Sequence, residues 1–131
     1  IINISSMVAF QVLPFMSVYA ATKAFVQSFS EGLSEESRGT GVQVLCVSPG
    51  HIATEFDTVS GSNQVNRLIP PPMRRTAEQL VLEALDAMDR GKETYVPGWL
   101  SLVAISLPRF VPRLVVRRIL GKIMRSKLRE A

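Results

Sequence analysis

The run Val42-Gln43-Val44-Leu45-Cys46-Val47 constrains the fold of this chain more than any other feature. It is short, β-branched and nearly continuous in apolar residues, so as a strand it must be covered on both faces. Ser48-Pro49-Gly50 stops it, because proline cannot continue a ladder and glycine lets backbone come close to a ligand. Ile1-Ile2-Asn3-Ile4 has the same character of a buried strand and ends in Ser5-Ser6, and Glu93 to Val96 reads as a last strand. Helical periodicity fills the intervals. From Ser17 to Ser37 an apolar stripe of Val18, Ala21, Phe25, Phe29 and Leu33 alternates with Gln27, Glu31, Glu35 and Glu36, and Gly39 and Gly41 close the helix. A second helix begins at Thr76, with Gln79 placed to complete a capping box, and carries Leu80, Val81, Ala84, Leu85 and Met88 to Gly91.

Within the first helix, Tyr19 and Lys23 are four residues apart, which puts phenol and ammonium on one face, a turn apart. A cation beside a phenol favours the phenolate, and such a tyrosine can exchange a proton near neutral pH. Taken alone, Tyr-x-x-x-Lys also describes a surface helix with an incidental pair. Two neighbours add weight. Ser6 closes the first strand thirteen residues before Tyr19, and a hydroxyl there can bond the same substrate oxygen. Downstream, Ser48-Pro49-Gly50-His51-Ile52-Ala53-Thr54 follows the second strand.

Strand-Ser-Ser, the step to Tyr19-Ala20-Ala21-Thr22-Lys23-Ala24, a helix, a strand and Pro-Gly-x-x-x-Thr together resemble the second half of a short-chain dehydrogenase/reductase over roughly residues 1 to 98. The resemblance implies an α/β fold, the second half of a doubly wound parallel-sheet (Rossmann) domain. It implies Ser6 as the substrate-orienting serine, with Ser5 its competitor, Tyr19 as general acid/base, and Lys23 as the cation that favours the phenolate and contacts the nicotinamide ribose. Pro49, Gly50, Ile52 and Thr54 then hold the carboxamide end of NADP or NAD. The segment Glu55 to Arg75 corresponds to a lid over the substrate, with Leu68, Ile69 and Met73 on its inner side. The substrate is a small carbonyl compound or alcohol. Asn-Ile-Ser-Ser, Tyr-x-Ala-Thr-Lys-x-Phe-Val and the basic end of the chain are similar to the branch of 3-oxoacyl-CoA reductases and 17-beta-hydroxysteroid dehydrogenases, which implies a lipid-like ketone.

The family's Thr-Gly-x-x-x-Gly-x-Gly turn and Asn-Asn-Ala-Gly strand do not occur in the 131 residues. The chain is therefore expected to be the C-terminal part of a longer enzyme, inactive alone and a homo-oligomer when whole. A single cysteine, Cys46, inside a predicted strand fits a small core residue in a reducing, cytoplasmic compartment. His51, the only histidine, has no acidic partner in its motif, and no metal site is expected.

Residues 99 to 131 form an extension of different composition. Trp99 to Leu107 is apolar but far short of the roughly 20 residues that span a bilayer. Eight basic residues against Glu130 then give the extension a charge of +7, beside −3 for residues 1 to 98. Phe110, Val111, Leu114, Val115, Ile119, Ile123 and Met124 fall between them, which predicts one basic amphipathic helix from about Pro108 to Leu128. Such a helix reads either as an anionic-membrane-surface element or as a helix docked on its own fold with a solvated basic face. Nucleic acid is not expected as a partner, because the helix matches no recognition motif. Against the enzyme stands one other class: a non-catalytic membrane- or partner-binding module with a reductase-like core.

Overall fold

The computed structural model of the chain describes residues 1–52 and 75–129, with side chains through Ser126. Three short strands, β1 (Ile2–Ile4), β2 (Leu45–Val47) and β3 (Thr94–Tyr95), form a parallel sheet in that order. Ile2 pairs with Leu45 and Ile4 with Val47, while Cys46 and Val47 pair with Thr94 and Tyr95. Parallel neighbours need crossovers. Helix α1 (Ser17–Glu36) lies between β1 and β2 in the chain, and α2 (Ala77–Asp89) between β2 and β3. The fold is thus α/β.

β2 is the central strand, and Leu45, Cys46 and Val47 are completely buried. Its alternation divides the core: Leu45 and Val47 pack with Leu80, Ala84 and Ala87 of α2, while the Cys46 thiol donates to Gln27 Oε1 of α1 at 3.2 Å. Burial on both faces is why this strand reads as a continuous apolar run. Helix α2 starts as expected. The Thr76 hydroxyl accepts from the Gln79 N–H at 3.1 Å, and Gln79 Oε1 accepts from the Thr76 N–H at 3.2 Å. Gly91, at φ 67°, ends it in the left-handed conformation that glycine adopts without strain.

Three expectations are corrected. Among the described residues β1 has a partner strand on one side only, so Ile2 and Ile4 are 37% and 48% exposed rather than buried, while Asn3 points its amide at Ser30 Oγ, 2.9 Å away. The stripe of α1 is also reversed. Val18, Phe25 and Phe29 are 80%, 69% and 52% exposed, and the buried positions are Ala20, Gln27 and Ser30. A polar face can be buried because its groups are partnered. Gln27 Oε1 accepts from Ser48 (2.6 Å) and Cys46, and its Nε2 donates to Glu31 (2.8 Å) and Thr94 (3.2 Å).

The third correction concerns the extension, whose basic helix, expected from about Pro108, begins only at Arg113. The extension comprises α3 (Trp99–Ser106), a 3-10 turn (Leu107–Phe110) and α4 (Arg113–Arg129). Val111 before Pro112 is extended, as a residue preceding proline prefers, and α4 begins only after it. Ile105 of α3 packs with Met7 and Val96, and Met124 of α4 is buried. Among the described residues no helix is long and apolar enough to cross a membrane.

Candidate active site

Open parallel sheets place ligands beyond the carboxyl ends of their strands. Here those ends carry Ser5 and Ser6 after β1, and Ser48 and Pro49 after β2. The ladder continues into them: the Ser5 N–H donates to the Val47 carbonyl at 2.8 Å and the Met7 N–H to the Pro49 carbonyl at 2.9 Å. The segment following Ser6 is thereby tied to the Pro-Gly turn. A 3-10 turn, Met7–Phe10, gives the expected apolar loop a folded start.

Helix α1 and strand β1 are joined by two reciprocal bonds. Ser5 Oγ donates to the Lys23 carbonyl at 2.7 Å, and Lys23 Nζ donates to the Ile4 carbonyl at 3.0 Å. Together they hold the ammonium at the carboxyl end of β1, 5.8 Å from the centroid of the half-buried Tyr19 ring. Ser5 is buried, and its hydroxyl proton is engaged by this bond. Ser6 is buried with an extended backbone, and its Oγ accepts a long bond from the Val8 N–H at 3.4 Å. Among the described residues its hydroxyl proton has no acceptor.

Pro49 is buried, Gly50 and His51 are half-buried, and Ile52 packs at the edge of the β2–α2 core and bridges to Arg75. Thr54 and the expected lid, except Arg75, lie outside the described residues. Burial pushes the Cys46 thiol up from its ordinary value, against weaker opposing bonds with Ser30 and Ser48. Tyr95 is likewise raised, first by burial and then by the Glu83 carboxylate, which accepts its hydroxyl at 3.2 Å.

Two residues escaped the sequence reading: Ser5 as a strand-to-helix tie, and Gln27 as the hub beneath α1. Gln27 had a signal. Tyr19, Lys23 and Gln27 follow one another at intervals of four, so one helical stripe carries all three.

A family model described as short chain dehydrogenase matches residues 1–65, which include the Ser5-Ser6 end of β1, the Tyr19–Lys23 stripe and the Pro-Gly turn. The chain belongs to the short-chain dehydrogenase/reductase family. Among curated members of this family, the chain is 32% identical to mouse 17-beta-hydroxysteroid dehydrogenase type 3 over 114 residues, covering 87% of this chain and 34% of that protein. It is 30% identical to zebrafish (Danio rerio) very-long-chain 3-oxoacyl-CoA reductase-B over 105 residues, covering 77% and 32%. A crystal structure of a short chain dehydrogenase from Burkholderia cenocepacia in complex with NADP superposes with a TM-score of 0.67 at 28% identity, covering 91% of this chain and 47% of that one. The chain thus spans about a third of the length of the curated relatives it matches, and the short-chain dehydrogenase Rossmann fold is the architecture in which its sheet and helices take their places.

Proposed function

We propose that this chain carries the catalytic half of an NAD(P)-dependent oxidoreductase that interconverts a ketone and a secondary alcohol, with Ser6, Tyr19 and Lys23 as its site. The observation that carries this reading is the reciprocal tie between β1 and α1, which sets the Lys23 ammonium beside Tyr19 at the ligand end of the strand.

The donor set suits a nicotinamide ribose. An ammonium has three protons, and Lys23 directs one at the Ile4 carbonyl, so two remain for a ribose diol. Tyr19, Lys23, Pro49, Gly50, Ile52 and Thr54 would hold that end of NADP or NAD, the first of which the solved relative contains. When bound, the nicotinamide supplies or removes the hydride at the substrate carbon. In reduction, Tyr19 gives its hydroxyl proton to the substrate's carbonyl oxygen while the Ser6 hydroxyl donates a second bond to the same atom. Lys23 then stands as the counter-charge to the phenolate. In oxidation the phenolate takes the proton back.

The substrate we propose is lipid-like. Support comes from the apolar Met7–Phe10 turn next to Ser6 and from the names of the two curated relatives. The 131 residues hold no glycine-rich turn to cradle a pyrophosphate, so turnover is assigned to a polypeptide that also supplies that element. We place that polypeptide in the cytoplasm, as a homo-oligomer whose copies meet through the exposed Val18, Phe25 and Phe29, and peripheral to an anionic membrane through α4. The test is Tyr19→Phe in the full-length protein. It keeps the ring and removes the hydroxyl, so turnover should fall by ~10²–10⁴. Turnover near that of the parent would sink the assignment, and absence of turnover in the parent itself would favour a non-catalytic module.

A further inference from the structure

The segment leading into α1 and the last helix enclose an open groove of about 980 Å³. Its two walls differ in chemistry. Val12, Pro14 and Phe15 form an apolar wall, and Arg117, Arg118, Lys122 and Arg125 of α4 form a basic one.

The basic wall has no internal counter-charge. Among the described residues, none of these four cations makes an ion pair, whereas Arg38, Arg75 and Arg90 each meet a carboxylate. Arg118 and Lys122 are four apart, and Lys122 and Arg125 three, spacings at which like charges repel on a helix. An arrangement that repels itself and lines a recess is completed by an anion. Arginine favours phosphate in particular, because its planar fork bonds two oxygens at once.

The apolar wall is held under strain. Phe15 has φ 69°, and it is the one non-glycine among the described residues with positive φ. A bulky residue in this region persists only where its surroundings impose it, and such residues gather at ligand clamps. Its ring is left exposed in the groove, a poor outcome for an aromatic side chain unless something apolar covers it. Ser17, which also lines the groove, opens α1 two residues before Tyr19.

We propose that this groove binds the phosphate-bearing head and adjoining alkyl chain of a single amphiphilic molecule, with the phosphate on Arg117, Arg118, Lys122 and Arg125 and the chain against Val12, Pro14 and Phe15.

Binding is measured without turnover, by calorimetry on the 131-residue chain with dodecyl phosphate below its micelle concentration. Dodecyl maltoside is the uncharged comparison and inorganic phosphate the chainless one. Dodecyl phosphate should bind at least about tenfold more tightly than either, and raising salt from about 20 to about 200 mM should weaken both phosphates but not the maltoside. Arg118→Gln/Lys122→Gln/Arg125→Gln should abolish the preference over maltoside while melting at or above the parent temperature. Phe15→Gly, which removes both strain and ring, should weaken the two dodecyl ligands alike. Equal affinity for phosphate and maltoside heads, a preference that survives the triple substitution or added salt, or inorganic phosphate binding as tightly as dodecyl phosphate would each overturn the proposal. So would binding to phosphatidylglycerol vesicles with none to monomeric dodecyl phosphate. Tyr19→Phe should leave this binding unchanged, so a failure of the catalytic assignment and a failure of the groove are read by different assays.

Discussion

Gln27 is the buried side chain on which most polar bonds converge, and its replacement has a calculable consequence. Gln27→Met keeps the length and removes both the acceptor for Ser48 and the donor to Thr94. A buried hydroxyl left unpartnered costs about 1–3 kcal/mol, so the chain should lose about 2–4 kcal/mol in urea unfolding. Adding Ser48→Ala removes the orphaned hydroxyl and should return part of that loss, which a double-mutant cycle reads directly. The two serines at the end of β1 separate in the same way. Ser5→Ala deletes the 2.7 Å bond to the Lys23 carbonyl and should cost about 1 kcal/mol of stability. Ser6→Ala should instead lower turnover of the full-length protein with little change in melting. If the effects are exchanged, the assignment of the two serines is exchanged with them. Cys46 predicts a pH dependence. Its thiol is raised in the folded chain, so between the ordinary value of 9.0 and the folded one the unfolded chain ionises first. Stability contributed by this group is complete below pH 9.0 and is lost as pH rises above it, and Cys46→Ala should flatten that part of the unfolding profile.

Local chemistry was legible at the level of elements, and long-range burial was not. The capping box of α2 involves groups three residues apart, so Thr76 and Gln79 announce it without reference to the rest of the fold. Thr76→Ala should therefore cost about 1 kcal/mol in thermal or urea unfolding, with Thr76→Ser close to neutral. β2 was plain over Leu45–Val47, where the strand is buried on both faces, whereas Val42, read as its start, lies before it and is 48% exposed. α1 misled because its aromatic stripe, Val18, Phe25 and Phe29, lies on the outward side. A helix pattern reports which residues share a face; which face meets the sheet depends on partners far along the chain. Those partners are Cys46, Ser48 and Thr94, from nineteen to sixty-seven residues away from Gln27. β1 misled for the same reason, since an apolar β-branched run does not say on how many sides a strand is paired. At the site, spacing placed Tyr19 and Lys23 one turn apart, as the 5.8 Å from ammonium to ring has them, while the bond from Ser5 to the Lys23 carbonyl appears only when the helix is laid against the strand.

At the scale of the whole molecule, positive charge is gathered in the last quarter of the chain, with +7 after residue 98 and −3 before it. Helix α4 is only partly used by the fold. Gly121 and Met124 are buried, whereas Val115, Ile119 and Ile123 form a separate exposed apolar strip. On a helix these three lie at i, i+4 and i+8, one continuous line beside the basic side chains. That is the geometry of a helix lying in a membrane interface, apolar line inward and cations at the head groups. Each cation near an anionic leaflet contributes about 1 kcal/mol, decaying over a Debye length of about 8–10 Å. Co-sedimentation should therefore show binding to phosphatidylglycerol vesicles, little to phosphatidylcholine, and loss with added salt. Removing α4 is the wrong control, because Met124 and the glycine facing Pro14 belong to the packing. Ile119→Ser/Ile123→Ser is better, since both side chains are exposed and neither lines the groove beside Phe15. This pair should weaken vesicle binding severalfold while leaving the preference for dodecyl phosphate intact. Indifference of the intact chain to lipid charge would instead mean that the strip is covered by protein and that α4 serves the fold alone.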